Sequence, residues 1–173
     1  SEDDIAERTY TAAQDLALAG DCEAAVPQLT QFLERHPNSI RVLAARFHLG
    51  QCQFDLGNRD EALAALESVV QAPLSDYHES ALVLVATTRD NRQDWNEALA
   101  HYQQLEKVAV LKRHVLEARI GIMRCSRELE DGETVLAYVG PILDDTETPA
   151  DIRRAARYNR ALLLLNRIPA DAK

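Results

Sequence analysis

The chain has 173 residues, of which 46% are hydrophobic and 5% aromatic, and it contains six Gly and six Pro. This composition is globular and favours helices over a β-sandwich or a β-barrel. The formal net charge of −9 argues against a nucleic-acid ligand, because binding phosphates requires clustered Lys and Arg. No apolar stretch reaches the roughly 20 residues that a membrane-spanning helix needs.

The negative charge is concentrated in the first half of the chain. Residues 1–76 hold 13 acidic and 5 basic side chains, a net of −8, whereas residues 77–173 hold 15 acidic and 14 basic side chains, a net of −1. This distribution suits a basic partner at the N-terminal half, or simply an acidic, solvated surface that keeps the protein in solution.

One pattern occurs four times along the chain: the end of a helix, a turn and the start of a new helix. The four segments are 16–25 around Gly20, 54–62 around Gly57, 89–98 around Gln93 and 129–137 around Gly132. A small residue follows each turn, in steps of 37, 36 and 39 residues, at Ala25, Ala62, Ala98 and Ala137. This spacing is the length of one helical hairpin with its loops, and it predicts a repeat architecture.

The second repeat shows the packing logic most clearly. Gly57 can end a helix in the left-handed conformation without a Cβ clash. Small residues at Gly50 and Ala62 would let the two helices of the hairpin cross at short distance, while the larger Leu66 fills the space beside them. The first repeat carries the same types of residue, at Ala13, Gly20, Ala25 and Leu29.

In these residues the chain resembles the tetratricopeptide repeat, over about residues 5 to 167. The resemblance implies an all-α fold, a right-handed superhelical solenoid of about four helical hairpins plus a final unpaired helix, with 1–173 as a single domain. The repeats that we expect are 5–37, 40–73, 77–109 and 114–145, with a partial repeat over 149–167.

The fourth and fifth repeats depart from the pattern. The fourth aligns through Cys125, Gly132 and Ala137, which places Pro141 where a large residue is expected, so we predict a kinked or shortened helix there. A fifth first helix, from about residue 149 to 167, ends in the run Leu162, Leu163, Leu164 and Leu165. Because this run would leave apolar surface uncovered, we expect either a longer parent chain or pairing between chains.

Three cysteines, Cys22, Cys52 and Cys125, lie far apart and show no metal-binding spacing. Their odd number argues against a disulfide framework. Cys52 and Cys125 fall on apolar helix faces, which predicts small core residues.

The resemblance also implies a binding surface, since tetratricopeptide repeats bind partners on a concave face lined mainly by the first helix of each hairpin. The implied inward positions are Tyr10, Phe47, Val83, Ile122 and Tyr158. The further groove positions are Gln14, Gln51, Thr87 and Ser126. An alternative is that Tyr10, Phe47 and Tyr158 only pack within and between hairpins.

One basic groove residue, Arg119, is a candidate for contacting an acidic ligand, although a surface ion pair with Glu117 or Glu130 is an alternative role. The family's clamp for C-terminal carboxylates uses Lys and Asn, whereas this chain has Phe47 and Gln51 at those positions. We therefore do not expect the chain to bind chaperone tails.

No catalytic motif is present, and the five His residues form no metal-binding pattern. We expect neither enzyme activity nor a cofactor. The predicted function is a protein-interaction scaffold that binds a peptide or a helix of another protein. The alternative is a structural module that either self-associates through Leu162, Leu163, Leu164 and Leu165 or acts as a spacer in a long tetratricopeptide array.

A second resemblance concerns the phrases at 94–99 and 118–125, which look like irregular tetratricopeptide arrays of bacterial cell-envelope proteins of the Tol-Pal accessory and outer-membrane lipoprotein types. It implies a periplasmic or outer-membrane location, with the cytoplasm as the alternative.

Overall fold

The computed structural model describes residues 2–167, and over this range the chain forms nine α-helices and no strand. The helices are α1 (Glu2–Leu18), α2 (Cys22–Arg35), α3 (Val42–Asp55), α4 (Arg59–Val70), α5 (His78–Asn91), α6 (Trp95–Val108), α7 (Lys112–Glu128), α8 (Gly132–Asp144) and α9 (Ala150–Asn166). The predicted all-α class, with four helix pairs and a final helix, is confirmed. None of these helices is long and apolar enough to cross a membrane.

The turns inside the four helix pairs share one backbone geometry. The residue at the centre of each turn has a positive φ: 79° at Gly20, 80° at Gly57, 64° at Gln93 and 59° at Glu130. The next residue donates its backbone N–H to the carbonyl five residues earlier, as in Asp21 to Leu16 and Asp131 to Ser126. This is the Schellman pattern, which satisfies carbonyls that a helix end leaves unpaired.

The turn geometry corrects the sequence alignment of the fourth repeat. The left-handed residue there is Glu130, whereas Gly132 already begins α8. Five residues after the turn residue, Ala25, Ala62 and Ala98 are fully buried and Val135 is 1% exposed. Ala137, which we predicted at this position, is exposed. The prediction was wrong by two residues because we aligned the fourth turn on Gly132. The residue with the left-handed backbone conformation in this turn is Glu130.

The expectation of a shortened helix at Pro141 fails for the same reason, whereas a kink there stays a prediction. In the corrected register Val139 occupies the position of the large residue, and it is 1% exposed. The helix α8 has 13 residues and includes Pro141, compared with 12 residues in α4. The first-helix position that holds Ala13, Gly50 and Ala86 in the other repeats is likewise occupied by Met123 and not by Cys125.

The chain divides into two compact units, an N-terminal unit up to Thr88 and a C-terminal unit from Arg89. In the N-terminal unit α1 packs on α2 and α3, α2 packs on α3, and α3 packs on α4. In the C-terminal unit α6 packs on α7, α7 on α8, and α8 on α9. Each unit is therefore a succession of neighbouring helices. A single domain over 1–173 stays a prediction.

Close helix approach depends on glycine in each unit. A Cβ atom added to Gly50 in α3 would collide with the side chain of Leu66 in α4. In the C-terminal unit, a Cβ atom on Gly121 would lie 2.5 Å from the ring of Tyr102. Distances this short require the neighbouring side chain to move, so both glycines permit the observed helix spacing.

The two cysteines of the N-terminal unit form a disulfide, Cys22–Cys52, which joins α2 to α3. The sequence argument against disulfides was therefore wrong, because an odd number of cysteines leaves one over without preventing a pair. Cys125 is that remaining thiol, and burial raises its pKa to about 12. The prediction that Cys52 and Cys125 are core residues is confirmed, since they are 1% and 0% exposed.

Candidate functional site

The helix ends give all five first helices a common register. Helices α1, α3, α5 and α7 each end two residues before the left-handed turn residue. The residue four positions before the end of each first helix, including α9, is exposed or half-buried. We call these equivalent residues the accessible row: Gln14, Gln51 and Thr87 belong to the N-terminal unit, and Arg124 and Leu162 to the C-terminal unit.

A second set of equivalent residues lies eight positions before the helix ends, at Tyr10, Phe47, Val83, Ile120 and Tyr158. Tyr10 and Phe47 are buried, at 2% and 8% exposure, whereas Tyr158 is 67% exposed. Burial of Tyr10 and Phe47 matches the alternative that they pack within the hairpins. Tyr158 is the large side chain of this set that is free to contact a partner.

Two of the predicted groove residues came from the misaligned fourth repeat. Ile122 and Ser126 are both 0% exposed, so neither can contact a partner without local rearrangement. Ile120 and Arg124 occupy the corresponding positions and are both half-buried. The sequence analysis missed them because its alignment depended on Gly132.

In the N-terminal unit, a cluster of aromatic rings packs beside Gln14 of the accessible row. The rings of Phe47 and Tyr77 stack with centroids 4.8 Å apart, and the His48 ring lies 5.7 Å from Tyr77 and 6.5 Å from Tyr10. Gln14 Nε2 and His48 Nε2 are 3.1 Å apart, within hydrogen-bonding distance. The amide of Gln14 is therefore held in place on one side while the rest of it remains accessible.

An ion pair fixes one edge of this aromatic cluster. Arg41 donates two hydrogen bonds to Glu7, of 2.9 Å and 2.7 Å, and its guanidinium lies 5.4 Å from the centroid of the Tyr10 ring. The hydrogen bond from Arg41 lowers the pKa of Glu7. Burial lowers the pKa of His48, so the imidazole inside the cluster is neutral at physiological pH.

The predicted residues Gln51, Val83 and Thr87 complete the surface of the N-terminal unit. Gln51 is exposed, and Val83 and Thr87 are half-buried. Together with Gln14, they present uncharged groups, two amides and a hydroxyl among them, that can donate and accept hydrogen bonds. Such groups suit the backbone or the polar face of a bound peptide.

In the C-terminal unit the accessible row carries a charge. Arg124 forms an ion pair with Asp90, which is buried, and Tyr102 donates a hydrogen bond of 3.2 Å to the same carboxylate. Burial lowers the pKa of Arg124, but the hydrogen bond and the charge of Asp90 outweigh this effect, and the pKa is raised. Arg124 therefore remains a cation with its position fixed.

The predicted basic contact, Arg119, is already engaged inside the C-terminal unit. Its Nε donates a 3.0 Å hydrogen bond to Glu106 of α6, and Tyr138 of α8 donates a 2.6 Å hydrogen bond to the other oxygen of that carboxylate. Burial and this hydrogen bond raise the pKa of Tyr138 to about 12. The partner of Arg119 is therefore Glu106 and neither Glu117 nor Glu130. The sequence pattern considers only residues that are close along the chain, so it could not identify a partner on another helix.

A cavity of about 620 Å³ lies beside α9 in the C-terminal unit. Its walls come from the end of α7, the start of α8 and one side of α9, and they include Tyr158 and Leu162 of the two equivalent sets. The full lining is Arg127, Glu130, Gly132, Val135, Ala155, Tyr158, Asn159, Leu162, Leu163 and Asn166. The cavity lining therefore includes one of the predicted groove residues, Tyr158.

Comparison with known proteins identifies the fold that this arrangement of helices represents. Residues 1–69 match the family model described as anaphase-promoting complex, cyclosome, subunit 3. A tetratricopeptide repeat protein from Parabacteroides merdae has a similar structure, with a TM-score of 0.73 at 20% sequence identity, over 94% of this chain and 59% of that chain. This chain has the tetratricopeptide-repeat fold.

A second solved structure supports the tetratricopeptide fold. The tetratricopeptide-like repeats ascribed to a kinesin light chain of Podosopora anserina give a TM-score of 0.63 at 17% identity, over 95% of this chain and 87% of that chain. No curated protein sequence matches this chain. Proteins of the tetratricopeptide type are generally non-catalytic scaffolds for protein interactions.

Proposed function

We propose that the chain is a non-catalytic interaction module that binds a peptide or a helix of a partner protein at the accessible-row residues of the N-terminal unit, Gln14, Gln51 and Thr87. The observation that carries this proposal is the recurrence of an accessible side chain at one position in each of the five first helices. A repeated, solvent-facing position on packed helices is where such arrays present their binding surface.

The chemistry of the row favours a peptide over a small molecule. Gln14, Gln51 and Thr87 are uncharged hydrogen-bonding groups spaced one per repeat, which matches a ligand that is extended over several repeats. The aromatic cluster beneath Gln14 fixes the local backbone, so the row loses little conformational freedom when a partner binds.

Site-specific photo-crosslinking in the cells that encode the protein tests this proposal. A benzoylphenylalanine at Gln51 or at Thr87 should give the same discrete adduct with a partner protein. The control position is Glu67, which is exposed on the second helix of the same repeat. Absence of an adduct at both row positions, or an equal adduct at Glu67, would overturn the proposal.

A second candidate function is self-association through α9. This helix exposes Leu162, Leu164 and Leu165 at 43%, 48% and 53%. Leu163 is half-buried against the core around α8, so Leu165→Glu is the cleaner test. Analytical ultracentrifugation should show a loss of oligomers in this variant, and a monomeric wild-type protein would exclude self-association.

Location in the cell envelope stays a prediction. The observation in its favour is the Cys22–Cys52 disulfide, because disulfides persist mainly in oxidising compartments such as the periplasm. Fractionation of the source cells, with trapping of free thiols before lysis, would show whether the disulfide exists where the protein resides.

A further inference from the structure

Helices α1 and α9 each present one long exposed face to solvent. Residues that follow one another at spacings of three, four and three lie on the same side of a helix. On α1 this spacing joins four exposed residues, which we call the α1 face: Ile5, Arg8, Ala12 and Asp15. On α9 it joins another four, which we call the α9 face: Arg154, Arg157, Ala161 and Leu164.

The two helices carry opposite charges. Helix α1 holds five acidic residues and one Arg, a net of −4, whereas α9 holds four Arg and one Asp, a net of +3. Within residues 2–167, Arg154 and Arg157 take part in no ion pair. Ile5 and Leu164 are 56% and 48% exposed. Each face therefore offers both a charge and an aliphatic side chain to a partner.

The order of the residues along the two faces fits an antiparallel contact. Ten residues separate Ile5 from Asp15, and ten separate Arg154 from Leu164, which is about 15 Å along each helix. An antiparallel contact places Ile5 opposite Leu164 and Asp15 opposite Arg154. The other two facing pairs each join an arginine to an alanine, Arg8 with Ala161 and Arg157 with Ala12. A parallel contact would instead bring two arginines together, Arg8 and Arg157.

Resting on the second candidate function, self-association through α9, we propose that the α9 face of one copy of the chain binds the α1 face of a second copy in antiparallel orientation. Contact between Ile5 and Leu164 provides most of the affinity, because exposed ion pairs contribute little. The pair of Asp15 with Arg154 selects the orientation. Neither face includes a residue of the accessible row, so this contact does not occupy the proposed peptide-binding residues.

The two faces are different surfaces, so the contact is heterologous and each copy can bind two others. Sedimentation velocity of two variants tests this property. Ile5→Glu and Leu164→Glu should each be monomeric at concentrations at which the wild type forms oligomers, with circular dichroism showing an intact helical fold. An equimolar mixture of the two variants should form dimers and nothing larger, because one variant keeps its α9 face and the other keeps its α1 face.

The outcomes separate this proposal from the function on which it rests. Oligomers that persist in Ile5→Glu and disappear in Leu164→Glu would indicate a symmetric contact between two copies of α9, which overturns the proposal and leaves self-association standing. A mixture that stays monomeric while the wild type associates would also overturn the proposal. A monomeric wild type would reject both.

A charge exchange tests the orientation. Asp15→Arg should weaken the association about fivefold, and Asp15→Arg/Arg154→Asp should restore most of the loss because the two charges are exchanged across the same contact. Glu67→Arg makes the same change in net charge at an exposed position on α4 and should leave the association unchanged. A larger loss in the double variant than in Asp15→Arg, or an equal loss in Glu67→Arg, would overturn the antiparallel contact.

Discussion

The N-terminal and C-terminal units build the same helical turn from different residues. In the N-terminal unit the left-handed positions are Gly20 and Gly57, whereas in the C-terminal unit they are Gln93 and Glu130. The N-terminal unit also carries a disulfide between α2 and α3, while the cysteine of the C-terminal unit is a buried free thiol. The comparison shows that helix packing and the hydrogen bonds of the turn determine the backbone conformation of the turn. The identity of the residue at the left-handed position changes only the free energy that this conformation costs.

The largest difference between the units should come from the disulfide. Replacing both cysteines of the pair, as Cys22→Ala/Cys52→Ala, should lower the free energy of unfolding by about 2–5 kcal/mol, because the unfolded chain regains the freedom of the closed loop. Urea denaturation with and without a reductant measures the effect. Reduction should weaken the wild type and leave the double variant unchanged, and a wild type that is insensitive to reductant would show that the bond contributes nothing.

The second test concerns the glycine contact of the C-terminal unit. Gly121→Ala should destabilise by about 1–3 kcal/mol, because the new Cβ atom collides with the buried Tyr102 ring. The double variant Gly121→Ala/Tyr102→Leu is the control, because the shorter side chain leaves room for the added Cβ atom. In thermal unfolding it should lose less stability than the sum of the two single variants, and additive losses would contradict the close packing.

Exchange of the turn residues tests the comparison itself. Gln93→Gly and Glu130→Gly should each stabilise the protein, because the left-handed conformation costs a residue with a Cβ atom about 1 kcal/mol. Gly57→Ala should cost a similar amount, although nothing lies within 4 Å of the added Cβ atom. Should Gly57→Ala prove neutral, backbone strain would not distinguish the two units.

The smallest effect should be the titration of His48. Its pKa lies below the ordinary value of 6.5 because burial disfavours the charged ring, so the unfolded chain binds more protons than the folded chain just below pH 6.5. The stability that this neutral histidine contributes is present above pH 6.5 and is lost as the pH falls. The difference in unfolding free energy between wild type and His48→Gln should change through this range, and a constant difference would contradict the assignment.

The sequence predicted the helices well because their pattern repeats. Small residues such as Ala25, Ala62 and Ala98 recur at a fixed distance from each turn, and the structure buries all of them. The error at Ala137 arose where a non-glycine residue, Glu130, adopts the left-handed conformation. Propensity does not identify such a position, because the hydrogen bonds of the surrounding turn impose its conformation.

The candidate site was less predictable than the fold. Tyr158 and Gln51 were predicted from the positions that the family resemblance implies, and both are exposed. The pairing of Asp90 with Arg124 joins residues 34 positions apart, a distance at which no local pattern operates. The disulfide escaped for a similar reason, because Cys22 and Cys52 meet only through helix packing.

The affinity of the cross-linked partner for variants of the accessible row tests the central claim most directly. Isothermal titration calorimetry should show at least tenfold weaker binding for Gln51→Glu and for Thr87→Glu. Ala64→Glu, at an exposed position on α4, should leave the affinity unchanged. Wild-type affinity in both row variants, or an equal loss in Ala64→Glu, would contradict the assignment of the binding surface.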